Sequence, residues 1–135
     1  MVMEAVEAAR KHEDLIILGA PNAARGGSHI GSIGAADMVE AGLCDALASD
    51  YFYPAMLAAI DRLDREKRAD RVTLWSLLSS GPARAMGLND RGRITIGNRA
   101  DLVLVDWTNG QPPVIEGTWI AGRAAYRVQT QQYSN

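Results

Sequence analysis

The chain has 135 residues, 47% hydrophobic, 22% charged and 6% aromatic, the profile of a globular domain that buries a sizeable core rather than of a disordered or collagen-like polymer. Fourteen Lys and Arg against sixteen Asp and Glu leave a formal net charge of -2, too balanced for a surface that tracks nucleic-acid phosphates. Cys44 is the single cysteine, which excludes a disulfide framework and an all-cysteine zinc site and points to a reducing cytoplasm, while the length falls short of the roughly 250 residues of a whole parallel eight-fold barrel.

Val2, Ala5, Val6 and Ala9 recur at helical spacing beside Glu4, Glu7 and Arg10, which predicts an amphipathic helix from Val2 to Lys11. It begins at full amplitude behind Met1 alone, with no secretory signal or anchor, so the expectation is a chain entered partway through a domain. Leu15 to Ala20 is a continuous apolar run of strand length, of the kind covered on both faces in a parallel sheet, and Pro21 is expected to end it. Asn22 to Gly34, NAARGGSHIGSIG, reads as a long glycine-rich connection. A short helix over Ala35 to Ala41, stopped by Gly42, leads to a second strand from Leu43 to Ala48, giving a βαβ unit.

Pro54 opens the next helix, whose Met56, Leu57, Ile60 and Leu63 share one face, with Asp61–Arg65 and Asp64–Arg68 as acid-before-base pairs. Asp70 to Leu88 is a further helical run, expected to break at Gly81-Pro82 and to close at Gly87. Beyond it the period changes: Arg93 to Ile96, Ala100 to Asp106, Gly117 to Ala121 and Ala124 to Val128 read as short strands between glycine turns, with a polar tail after Val128. The chain thus divides near Asn89 into a βαβ-plus-helices part, residues 1–88, and an all-β part, residues 89–135.

Two places could hold chemistry. Asp50 follows the second strand directly, where α/β folds put their sites, and could ligate a cation or take a proton, although capping the next helix or forming a turn explains it equally well. Arg25, Gly26, Gly27, Ser28 and His29 combine a guanidinium, close backbone approach, a hydroxyl and an imidazole, a set suited to phosphate oxygens but lacking the ending of a Walker loop. His12 reads as a solvated helix end, Cys44 as packing, Met38, Met56 and Met86 as core, and the three tryptophans as core or contacts between the two parts. There is no HxH pair, so a complete metal-hydrolase site cannot be assembled from these residues.

GAPN-x-x-RGGSH, Leu47-Ala48-Ser49-Asp50-Tyr51 and Gly97-Asn98-Arg99-Ala100-Asp101-Leu102-Val103, over nearly the whole length, resemble the C-terminal part of the amidohydrolase superfamily, and within it a phosphonate-metabolism branch. The resemblance implies an α/β fold, the last strands and helices of a TIM-like barrel with part of a small β-sandwich. It makes Leu15 to Ala20 the seventh barrel strand and Asp50 the final-strand aspartate, both metal ligand and proton acceptor. It also implies a divalent metal, zinc or manganese, in the complete enzyme, and release of diphosphate from ribose methylphosphonate triphosphate, with Asn22, Arg25, Gly26, Gly27, Ser28 and His29 on the substrate.

With the HxH pair and other ligands missing, the expectation is a fragment that is inactive alone and holds no stoichiometric metal. Its partners would be a phosphorylated small molecule and further copies of itself, with neither nucleic acid nor membrane. Two other readings stand beside this one: a non-catalytic assembly or phosphate-binding module, and a fragment of an amidohydrolase acting on cyclic amides.

Overall fold

The computed structural model describes residues 3–26 and 33–128. Helix α1, Met3–Lys11, forms as the periodicity predicts and turns Val6 into a small apolar cluster with Ile16 and Met38. Strands β1, Ile17–Gly19, and β2, Ala46–Ala48, pair in parallel, with Leu18 opposite Leu47 and Gly19 opposite Ala48. Both are shorter than the apolar runs that contain them, and Ile17 is exposed rather than covered.

Chemistry at each end accounts for the shortening. At the amino end the Asp45 carboxylate accepts the Ile16 N–H at 2.9 Å while Asp45 donates its own N–H to the Ile16 carbonyl at 2.8 Å, so this pair of residues is locked through a side chain instead of a ladder. At the carboxyl end Ala20 passes straight into helix α2, Ala20–Arg25. The connection expected from Asn22 therefore starts as helix: Pro21 opens α2 instead of merely ending the strand, because a first-turn residue needs no amide partner.

Helix α3, Ala35–Glu40, ends before Gly42, which takes φ 67 as the glycine stop predicts. Helix α4, Ala55–Arg65, buries Ala55, Ala59, Ile60 and Leu63, and the small Ala20 and Ala23 of α2 join them in the main core. The Asp61–Arg65 pair forms at 3.0 Å, whereas Asp64–Arg68 does not. Lys67 turns to φ 55 and takes Arg68 off the helix, so Arg68 reaches Asp37 at 3.0 Å and also Glu40, while Asp64 receives Arg71 at 2.9 Å.

Asp70 caps helix α5, Arg71–Ser76, by accepting the Thr73 N–H at 2.9 Å. The break before helix α6, Ser80–Ala85, falls at residues 77–79 and not at Gly81-Pro82. Here the Leu77 carbonyl accepts the Leu47 N–H at 2.9 Å, tying the α5–α6 turn to β2, and Pro82 sits in the first turn of α6 where its missing N–H costs nothing. Gly81 is required by space, since a Cβ would run into the Asp45 carbonyl. Met86, expected in the core, is 74% exposed at the end of this helix.

Strands β3, Leu102–Asp106, β4, Val114–Ile120, and β5, Arg123–Arg127, form an antiparallel sheet in that order. Arg93 to Ile96, expected as a strand, is none: the Arg93 carbonyl accepts from the Asn98 carboxamide at 3.2 Å and the Arg99 N–H goes to Asp90 at 2.7 Å, so local turns take these groups and Ile94 stands 91% exposed. Asp101 ties this region together, accepting the Ala121 N–H at 2.8 Å from the β4–β5 turn and Arg99 Nε at 2.9 Å. Arg71 joins the helices to the sheet, donating to the Trp107 carbonyl at 2.7 Å with its guanidinium 4.7 Å from the Trp107 ring centre. The residues after Val128 lie outside the described residues.

Two outcomes are expected. Asp45, whose side chain is 12% exposed, also pairs with Arg10 at 2.8 Å and Arg84 at 2.7 Å. Asp45→Ala should therefore cost about 2–3 kcal/mol by denaturant titration, the scale of losing a charged hydrogen bond and orphaning an N–H. For Asp101, the hydrogen bond from the Ala121 N–H, followed by the neighbouring Arg99, holds the carboxyl below the usual carboxylate range. A depressed native pKa makes the contribution complete above the unfolded carboxylate value and lost as pH falls through the folded one. Amide protection in the β4–β5 turn, taken relative to the intrinsic exchange rate at each pH, should fall as pH is taken below about 4, the unfolded carboxylate value, and Asp101→Asn should remove that dependence.

Candidate functional site

Because β1 and β2 run parallel with Gly19 opposite Ala48, the segments that follow them leave from the same end of the sheet. One delivers Asn22, Arg25 and Gly26; the other delivers Asp50. This is the end at which parallel α/β folds assemble their chemistry.

Asn22 and Arg25 are exposed and sit one helical turn apart on α2. The Asn22 Oδ1 accepts from Arg25 Nη2 at 3.3 Å, which aims the guanidinium, and the Asn22 carbonyl accepts the Gly26 N–H at 3.1 Å, which ends the helix. Gly26 adopts φ 69 and ψ 173, a backbone region open to glycine and little else. Gly27, Ser28 and His29 lie outside the described residues. What the structure brings together from the expected phosphate set is thus Asn22, Arg25 and Gly26.

Asp50 occupies a tight turn in which the Phe52 N–H returns to the Ser49 carbonyl at 3.1 Å. Its φ of 55 lies in the left-handed region, where aspartate is among the few side chains tolerated. Of the two structural explanations, capping fails, because the N-cap of α4 is Pro54 with no side-chain cap, whereas the turn is what Asp50 forms. The carboxylate is exposed at this rim, and the nearby residues Tyr51 and Tyr53 in the same segment are 73% and 80% exposed.

Among the described residues no group of three His, Cys, Asp or Glu side chains gathers to hold a metal ion. Asp50 is a single donor there, so the described residues by themselves do not fit a resident divalent cation. Cys44 is no reserve ligand or nucleophile: burial is the main cause pushing its thiol up to about 11. His12 is exposed just beyond α1, as expected of a solvated helix end.

Two apolar recesses of about 650 and 720 Å³ lie between α5–α6 and β3, and neither is lined by Asn22, Arg25 or Asp50. The Arg71 guanidinium at the first is committed to Asp64, Trp107 and Asn109. Among the described residues no helix is long and apolar enough to cross a membrane.

Sequence reasoning missed Arg62. Its Nε binds Glu66 Oε1 at 2.6 Å, its Nη1 lies 3.5 Å from the Ala23 carbonyl, and its guanidinium fills the space beside Gly26. In sequence it shows only the spacing of a surface ion pair with Glu66; its approach to α2 spans 39 positions and no local pattern announces it.

Comparison with known proteins places these residues in a wider group. Residues 15–126 match the model of the amidohydrolase family. The chain is 45% identical over 104 residues to the alpha-D-ribose 1-methylphosphonate 5-triphosphate diphosphatase of Escherichia coli K12, a match covering 75% of this chain and 27% of that protein. The fold is similar to the crystal structure of an amidohydrolase from Thermotoga maritima MSB8, with a TM-score of 0.58 and 21% identity over 93% of this chain and 40% of that one. The chain thus spans about a quarter of the length of the curated relative it matches. With the family model matched across both sheets and the site-bearing turns between them, the chain belongs to the amidohydrolase family.

Proposed function

We propose that this chain is the C-terminal part of a hydrolase of phosphonate metabolism that releases diphosphate from ribose methylphosphonate triphosphate. The observation that carries the reading is the 45% identity to a protein named for that activity. It is supported by the placement of Arg25 and Asp50 beyond the same end of two adjacent parallel strands. Residues 1–88 would be the last part of a TIM-like barrel and residues 89–135 a share of a β-sandwich.

In this reading Asn22 presents Arg25 to the triphosphate, and the planar guanidinium takes two phosphate oxygens at once. Gly26, with Gly27, lets the backbone approach the anion, and Ser28 and His29 donate further hydrogen bonds. The Asp50 carboxylate, held at the rim by its turn, accepts the proton of the attacking water. A zinc or manganese ion in the complete enzyme would need ligands beyond the described residues, since these supply one donor. The chain by itself would hold no stoichiometric metal and be inactive. A cytoplasmic setting is supported by the lone unpaired Cys44, and self-association by the exposed Ile94, Ile96 and Val72.

Arg25→Ala in the full-length enzyme should lower kcat/KM for the triphosphate by roughly tenfold to a thousandfold, reflecting about 1.5–3 kcal/mol for a hydrogen bond to a charged group and some lost orientation. The chain alone, in the same diphosphate-release assay, should give no turnover. Parent-like kinetics for Arg25→Ala and for His29→Ala would make the loop structural and remove the phosphonate assignment's support at the site. Light scattering of a concentrated sample should find a mass above that of one chain; a monodisperse monomer would remove the self-association part.

A further inference from the structure

We propose that Arg62 is a positioning residue for the anion site: held by Glu66, its guanidinium caps the open end of α2 and seats Gly26, and so sets the direction in which the chain leaves Arg25. The inference rests on the phosphate-binding reading of Arg25 and deepens it by adding a residue from another helix.

Helix α2 has six residues, so most of its carbonyls have no partner inside the helix. The Gly26 N–H takes the Asn22 carbonyl at 3.1 Å. The next carbonyl, Ala23, faces Arg62 Nη1 at 3.5 Å, a cation at the negative end of the helix. Arg62 is fixed from its own side by Glu66, one turn on, at 2.6 Å, and its side chain is only 32% exposed. Its charge is therefore matched by Glu66, and what it offers the site is a contact at the end of α2 and a plane beside Gly26, not a further unpaired cation for the anion.

Gly26 meets that plane. Its φ of 69 with ψ of 173 already restricts the position to glycine, and a Cβ built there would fall within the guanidinium of Arg62. Arg62 could swing away from such a Cβ only by leaving Ala23 and Glu66. Below this contact α2 and α4 remain joined through the buried Ala20, Ala23, Ala55, Ala59, Ile60 and Leu63, so Arg62 can be changed without dissolving the packing that supports it.

The test uses the chain as it stands, with inorganic tripolyphosphate as the probe at one fixed, low salt concentration. Dissociation constants are read by titration and thermal midpoints are measured beside them for parent, Arg25→Ala, Arg62→Met, Arg62→Lys and Glu66→Gln. The expected result is binding by the parent, loss of it in Arg25→Ala, and a dissociation constant raised about threefold to twentyfold in Arg62→Met, the range of a helix-end charge contact. The midpoint of Arg62→Met should stay near the parent's. Arg62→Lys should recover part of the affinity, because an ammonium keeps the charge but not the plane, and Glu66→Gln should lose affinity by loosening the anchor.

Parent-like affinity in Arg62→Met while Arg25→Ala loses binding overturns the role of Arg62 and leaves the phosphate site standing. Should Arg62→Met fail to fold, parent-like affinity in Glu66→Gln overturns that role in the same way. A parent that does not bind the probe, or an Arg25→Ala that binds it equally, overturns the phosphate site and the role of Arg62 together.

Discussion

The parallel strand pair depends on one carboxylate. Asp45 accepts the N–H of Ile16 ahead of β1 while its own backbone returns a hydrogen bond, so a single residue fixes the start of both strands and hence their register. It also draws in Arg10 from the end of α1 and Arg84 from α6, and its carbonyl is the surface on which Gly81 rests. Three-residue strands cannot hold a register by ladder bonds alone. A largely shielded carboxylate with an amide and two guanidinia around it can, because every partner loses more when the charge is removed than each gains separately.

The polarity of the strands then separates two kinds of work. At their amino ends the polar groups are engaged with one another, and the chain there contributes stability. At their carboxyl ends Asp50 and Arg25 are exposed, Asp50 in a left-handed turn and Arg25 just ahead of a glycine-only conformation. Backbone of that kind is tolerated where the surrounding structure over-determines it. Here the over-determination comes from α4, whose apolar face holds α2 and whose first residues follow the Asp50 turn directly.

Much of this was legible in residue order. Helical periodicity found α1, α3 and α4, the apolar runs found β1 and β2 as a parallel pair, and the glycine-punctuated region after Asn89 proved antiparallel. The failures share a physical cause, namely partners that lie outside the local pattern. Arg93 to Ile96 has strand composition, but its polar backbone is taken by Asn98 and its neighbours turn back on themselves. The α5–α6 break fell where the Leu77 carbonyl meets β2, not at the residues with breaker chemistry. Arg68 lost its predicted partner to a backbone reversal at Lys67. Arg62 and Asp45 act across gaps that no window of periodicity spans.

One of the three motifs that carry the family resemblance, Gly97 to Val103, does structural work. Gly97 takes φ 91, Asn98 closes onto Arg93, and Asp101 fastens Arg99 and the Ala121 amide of the β4–β5 turn. A run of residues can thus be constrained by structure, since the crowding of polar groups around one turn narrows the choice of side chains. The strand ends show the opposite case. Asp50 caps no helix and its left-handed turn accounts for its backbone, while its carboxylate is left exposed; Arg25 is met among the described residues by Asn22 of its own turn at 3.3 Å. Other exposed charges such as Glu4, Lys11 and Arg123 lie on helix faces and strand edges elsewhere; Asp50 and Arg25 differ in standing beyond the same end of two adjacent parallel strands, and that placement directs the search for substrate contacts to the carboxyl ends of β1 and β2.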